Sequence, residues 1–260
     1  LNNDVIAASG TVSMSGQHNT GATYAISLSG STSITAGTGV TLESLNDNTG
    51  TIALLSSGGI DGGSGTVLMR AANYAFGGAD RTITTTGVLT IEPDADENSF
   101  ASSFDNQYLN PVSVTGLTLG KSSNASAITL SRAISLSGPV SIYGGSIDVN
   151  ANITANSGNI LLDADTGSTL NQSSTGILLD DVITIETVTS GNLTLIGRSG
   201  DTGSGFDGID ASSANTTTLR SAGNLTLQGY SYAASGSGRG VDLNNDVIAA
   251  SGTVSMSGQH

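Results

Sequence analysis

Apolar and polar residues alternate in short runs along this chain. Thr11-Val12-Ser13-Met14, Thr51-Ile52-Ala53-Leu54, Val88-Leu89-Thr90-Ile91 and Pro139-Val140-Ser141-Ile142 are typical. Alternation at period two marks a half-buried strand. The runs last about four to six residues and end in Ser-Gly, Gly-Gly or Asn-Gly breakers, which are turn signals. A longer-range pattern lies over the alternation: Gly, one residue, apolar, any residue, apolar. It recurs after Gly10, Gly50, Gly138, Gly158, Gly191, Gly223 and Gly252, and in looser register after Gly30, Gly65, Gly87 and Gly116. Each return is read as one coil of a β-helix. Stacked coils give parallel strands around a continuous interior of Ile, Leu and Val, with Thr and Ser outward on the pleated surface.

The chain also repeats itself exactly once. Residues 1–18, LNNDVIAASGTVSMSGQH, recur letter for letter as residues 243–260, an offset of 242 residues. Fixed-period identity is the signature of repeat architecture. The expectation is a longer polypeptide with a unit of about 242 residues. Residues 1–242 are then one full repeat, and residues 243–260 begin the next. About nine or ten coils per unit follow from the Gly-anchored returns. Ends that lie open here are expected to be covered by neighbouring repeats, end to end.

Composition narrows the class. Gly is 36 of 260 residues, Pro only 3, and charged residues are 11%. Gly, Ser, Thr and Asn favour turns over helices, while the apolar runs argue against disorder. None approaches the roughly 18 residues of a membrane-spanning helix. Cysteine is absent, which is compatible with export. The formal charge of −14 argues against nucleic acid, whose affinity rests on basic side chains.

Three stretches carry a resemblance: residues 190–197 (SGNLTLIG), 222–229 (AGNLTLQG) and 127–138 (AITLSRAISLSG). They resemble the coils of filamentous-haemagglutinin-type exoproteins, large secreted bacterial adhesins. The resemblance covers nearly the whole chain but is one of style, and it transfers no catalytic residue. It implies a parallel β-helical shaft, an extracellular or cell-surface location and a bacterial source. It also implies the right hand, to which the twist preference of parallel crossovers adds.

Candidate chemistry is sparse. His18 and His260 are one position in two copies, and no zinc-type or triad spacing is present. No catalytic residue is assigned and the chain is not expected to be an enzyme. Asp163 with Asp165, and Asp180 with Asp181, are the acid pairs that a polysaccharide-processing β-helix or sugar-binding spike would need, but Trp is absent and solvated turn acids are the simpler reading. Residues 199–210 alternate acids with glycines, so Asp201, Asp207 and Asp210 offer oxygen ligands for Ca²⁺, as in a calcium-stabilised surface-layer or matrix protein. The tandem nonapeptide of calcium β-rolls is not present. Residues 92–111 break the strand pattern. Phe100, Phe104 and Tyr108 recur there at four-residue spacing, which would suit a short helix face on a projecting binding loop. The alternative is that these rings cap the shaft. Tyr74, Phe76, Tyr230 and Tyr232 mark two further side loops. Asn-x-Ser/Thr occurs at Asn124, Asn152, Asn171, Asn192, Asn215 and Asn224, a glycosylation pattern expected by chance in so Asn- and Thr-rich a chain.

The combined expectation is an all-β protein: a right-handed parallel β-helix, one repeat of a structural or adhesive extracellular fibre. No cofactor is required, Ca²⁺ being the one candidate. Partners would be the neighbouring repeats and either a cell-surface glycan or laterally associated shafts.

Overall fold

The computed structural model describes residues 4–17, 23–45, 49–55, 58–78, 80–95, 97–111, 113–164, 174–180, 182–201, 204–211, 216–232, 235–244 and 247–260. Among these residues there are strands, turns and bends and no helix. Every strand pairing within the two compact units, residues 1–121 and 122–260, is parallel. No described helix is long and apolar enough to cross a membrane.

In the first unit three ladders take every third strand in turn. One stacks Val5–Ala7, Ile34–Ala36, Ile60–Asp61, Arg81–Thr84 and Leu109–Pro111. A second stacks Val12–Gly16, Gly39–Ser44, Thr66–Arg70, Val88–Glu92 and Gly116–Leu119. A third stacks Ile26–Leu28, Thr51–Leu54 and Asn73–Phe76. The second unit has the same plan. Its ladders are Ile128–Leu130, Ile147–Val149, Ile177–Leu179, Ile209–Ala211 and Val241–Leu243; Ile134–Leu136, Ile153–Ser157, Thr184–Ser190, Thr218–Ser221 and Val247–Ala250; and Val140–Tyr143, Ile160–Ala164, Leu193–Arg198, Leu225–Tyr230 and Val254–Gln259.

The ladders explain the alternation. Parallel register sets like above like, so Val140, Ile160, Leu193 and Leu225 form one column, and Ile142, Leu162, Leu195 and Leu227 another. All eight are buried. The intervening residues point outward. On the first unit's outer face Glu43, Arg70 and Glu92 are successive partners, with Arg70 Nη1 3.6 Å from Glu43 Oε1 and Arg70 Nε 2.5 Å from Glu92 Oε1.

The Gly-anchored phrase, however, does not mark one return of the chain each time. Gly10 precedes a strand of the second ladder and Gly50 one of the third, so the phrase recurs in different ladders. The alternation and turn chemistry are common to all three ladders, which is why the sequence alone does not separate them.

Its meaning is clearest in Gly-Asn-Leu-Thr-Leu. The Asn159 side-chain oxygen accepts the Asn192 backbone N–H at 2.9 Å, that of Asn192 accepts Asn224 N–H at 2.8 Å, and that of Asn224 accepts Thr253 N–H at 2.9 Å. Asn152 does the same for Thr184 N–H at 2.8 Å. Each asparagine thus ties its turn to the same corner one turn further on. Gly191 stands at this corner with φ +111°, and a Cβ there would lie 1.9 Å from the Gly158 carbonyl oxygen. Asn124 is fully buried and bonds inward, its amide donating to the Tyr143 carbonyl at 2.8 Å. Four of the six glycosylation-like asparagines therefore serve the fold, and Asn171 and Asn215 lie outside the described residues.

The two copies of the repeated string sit in different registers. In the first, Val5 and Ala7 stand opposite the inward-facing Ile34 and Ala36, and Ile6 points outward, 69% exposed. In the second, Ile248 is opposite the buried Leu219 and Ala250 is opposite Ser221, so Ile248 takes the inward position. A one-residue slip exchanges the faces of a strand, and Val-Ile-Ala-Ala is apolar on both. The slip is absorbed at the next corner. Ala7 and Val12, five apart, face Ala36 and Val40, four apart; Ala250 and Val254 match Ser221 and Leu225 at four each.

Gly191→Ala should lower the unfolding free energy by about 2 kcal/mol or more, from a forced positive φ and a backbone clash. Gly10→Ala, whose Cβ would meet nothing within 4 Å, should change it by less than about 0.5 kcal/mol. Urea unfolding of the two variants measures the difference.

Candidate functional site

Parallel register also stacks acids. Asp210 and Asp242 are direct partners on neighbouring strands, Ile209–Ala211 and Val241–Leu243. Asp207 precedes the first of these strands. Its backbone carbonyl accepts the Gly176 N–H at 3.0 Å, and its carboxylate accepts the Arg239 backbone N–H. Carboxylate oxygens of Asp207, Asp210 and Asp242 lie within 4.8 Å of one another. The Arg239 guanidinium bonds the Asp242 carboxylate and supplies one positive charge to the group.

Two of the three acids singled out as calcium ligands, Asp207 and Asp210, thus come together. Asp201 is not in this group, and its Oδ1 is enclosed without a hydrogen-bond partner among the described residues. Asp242 takes the third place. It lies 32 residues from Asp210, and only the return length of the chain aligns the two. Asp207 is 6% exposed. Burial is the main cause holding its carboxyl above the usual carboxylate range. The Arg239 N–H opposes this, Asp210 and Asp242 add to it, and the Arg239 charge opposes it. Three converging carboxylates are a donor set suited to a hard divalent cation, with Arg239 as its internal competitor.

The described residues of 92–111 form no helix. They include the strands Phe104–Asp105 and Leu109–Pro111. Phe100 and Phe104 are buried, 4% exposed each, rather than displayed on a projecting loop. They pack on Tyr74 and Phe76, which continue the third ladder where Ile52 and Leu54 stood one strand earlier. Tyr74 meets Phe100 and Phe104 edge-on at 5.9 and 5.7 Å, and Phe100 stacks on Phe104 at 5.5 Å. The detour is tied down by Ala101 N–H to the Ala72 carbonyl at 2.9 Å and Ser102 hydroxyl to Asn73 Oδ1 at 2.9 Å. The Tyr74 hydroxyl sits 2.8 Å from the Met69 carbonyl and 2.9 Å from that of Glu92. Burial first, then the Glu92 charge, holds its phenol well above the ordinary value. Tyr108 is half-buried and lines the mouth of a cleft of about 260 Å³ with Asn73, Asp105 and Gln107. Tyr74 and Phe76, expected on a side loop, lie instead on the strand Asn73–Phe76.

The remaining candidates are scattered. Asp163 faces outward on Ile160–Ala164, and Asp180 is exposed. Asp165 and Asp181, their proposed partners, lie outside the described residues, as does His18. His260 is exposed. Tyr230 ends a strand, and Tyr232 carries the Arg198 guanidinium 5.2 Å over its ring.

A raised folded-state value means that Asp207 binds its proton more tightly in the folded chain than in the unfolded one. Its stabilising contribution is then present at low pH and is lost as pH rises through the folded value. Asp207→Asn keeps an acceptor for Arg239 N–H and removes the buried charge. It should therefore melt at a higher temperature than the parent at pH 7, with the gap closing as pH falls below the ordinary aspartate range. Thermal melts across pH measure this. Among known proteins, no family model, no curated protein and no solved structure matches this chain.

Proposed function

We propose that this chain is one repeat-length block of a long extracellular fibre, a right-handed parallel β-helical shaft of the filamentous-haemagglutinin-type adhesin kind, on or outside a bacterial cell. Its role is structural and adhesive rather than catalytic. One observation carries the reading. The repeated string pairs in register with the strands after it in the first copy (Val12–Gly16 on Gly39–Ser44) and with the strands before it in the second (Leu225–Tyr230 on Val254–Gln259). A position that can take partners on both sides is what a continuous shaft needs where one repeat hands on to the next. The parallel ladders, each taking every third strand, support three-strand coils. The first unit contributes five coils and the second five, the last repeating the first in sequence, which makes nine per 242 residues.

At roughly 4.8 Å per coil, nine coils rise on the order of 45 Å. Electron microscopy of the native full-length protein should show thin unbranched filaments with an axial period near that length. Compact trimers with a blunt tip would support the spike reading instead.

The group of Asp207, Asp210 and Asp242 favours a second reading, a shaft stiffened by Ca²⁺. On that reading millimolar Ca²⁺ raises the melting temperature by several degrees, and Asp242→Asn removes the increment. An unchanged melting temperature on calcium addition and chelation would count against it.

A further inference from the structure

We propose that the cleft lined by Asn73, Tyr74, Phe76, Asp105 and Tyr108 binds a single neutral sugar ring. Its hydroxyls would be held by the polar rim and its C–H face by the aromatic wall. The proposal deepens the fibre reading, on which its adhesive meaning rests.

A break in the third ladder builds the cleft. Asn73–Phe76 pairs with Thr51–Leu54 and closes that ladder, and Phe104–Asp105 does not continue it. The two segments are joined at one end. Ala101 N–H donates to the Ala72 carbonyl and the Ser102 hydroxyl to Asn73 Oδ1, both at 2.9 Å. Beyond that seam both segments line a space of about 260 Å³. All of its described lining residues belong to the first unit.

One wall is aromatic. Phe100 and Phe104 are buried, while Tyr74 and Phe76 are half-buried and keep part of their rings on the cleft. The planes of Tyr74 and Phe76 lie within 10° of parallel at 6.3 Å. Phe104 meets both edge-on, at 5.7 and 6.0 Å, which fixes them. Rings already held in place lose little side-chain freedom on binding.

The rim is polar, and its hydrogen-bonding capacity is only partly used. Asn73 Oδ1 accepts the Ser102 hydroxyl, which leaves the amide nitrogen as a donor. Asp105 Oδ1 accepts the Gln107 backbone N–H at 2.9 Å, which leaves Oδ2 as an acceptor. The half-buried Tyr108 hydroxyl can do both. No Lys, Arg or His is among the described lining residues.

This mixture selects the guest. An ammonium group only donates, so it would leave the Asn73 amide unmet. A carboxylate or sulfate only accepts, and would meet Asp105 with no cation to offset the repulsion. A hydroxyl donates to Asp105 while accepting from Asn73 or Tyr108. A sugar ring carries several hydroxyls on its rim and apolar C–H groups on its face. The space falls just under the ~300 Å³ at which drug-sized pockets begin, which is room for one ring.

Saturation-transfer NMR on the full chain tests this with the methyl glycosides of glucose, galactose and mannose, beside choline and glucuronate. At least one neutral glycoside should bind with a Kd on the order of 1 mM, at least fivefold tighter than choline or glucuronate. Asp105→Asn keeps an acceptor for Gln107 N–H and turns the second oxygen into a donor. Tyr108→Phe removes the hydroxyl alone. Both side chains reach solvent, so both variants should melt with the parent, and each should weaken the neutral sugar at least threefold. Transfer to none of the three neutral glycosides overturns the proposal. So does choline or glucuronate bound as tightly, or sugar binding that neither substitution weakens. None of these results touches the axial period of the filaments, so failure of the site and failure of the fibre reading are told apart.

Discussion

In a parallel ladder each residue meets the residue at the same position one turn of the chain away. This like-over-like register is the constraint from which the rest of the structure follows. It turns scattered Ile, Leu and Val into buried columns, such as Val140, Ile160, Leu193 and Leu225. It sets asparagine above asparagine at the corner, where each side chain satisfies the next backbone N–H. It also demands glycine where two corners approach within a carbonyl's reach, as Gly191 does over Gly158. The same rule creates a crowded electrostatic feature, Asp210 over Asp242, which Arg239 relieves in part. Stability and candidate chemistry thus share a cause.

The alternation made the all-β, parallel character legible, because short apolar runs broken by Gly and Asn have few other uses. The assignment of runs to ladders was not legible. Gly10 and Gly50 introduce the same phrase on different faces, since every face of such a chain buries alternate residues. The asparagines read as a chance glycosylation pattern, because their hydrogen bonds reach to residues about 30 positions away. Asp242 was missed for the same reason. For Phe100 and Phe104 the sequence left two readings open, a displayed binding loop and rings that cap the strands. The rings are drawn under by Tyr74 and Phe76, whose place in the third ladder left an apolar surface to cover.

The repeated string is the most economical sequence device in the chain. Its strand Val-Ile-Ala-Ala is apolar on both faces and so accepts either register. Its partner Val-Ser-Met-Ser alternates strictly, and Val12 and Val254 both face inward in their respective copies. One half of the string therefore holds the register and the other adapts to the neighbour. That division suits a junction that must be satisfied from both sides. On the proposed reading, reach would be a property of the long assembly rather than of any one acid or aromatic group in the chain.

The central claim is that parallel strands lie across the long axis of an extended shaft and stack along it. X-ray diffraction from oriented native filaments tests this most directly. The account predicts a sharp reflection near ~4.8 Å along the filament axis. A reflection of that spacing perpendicular to the axis, or none, would contradict it.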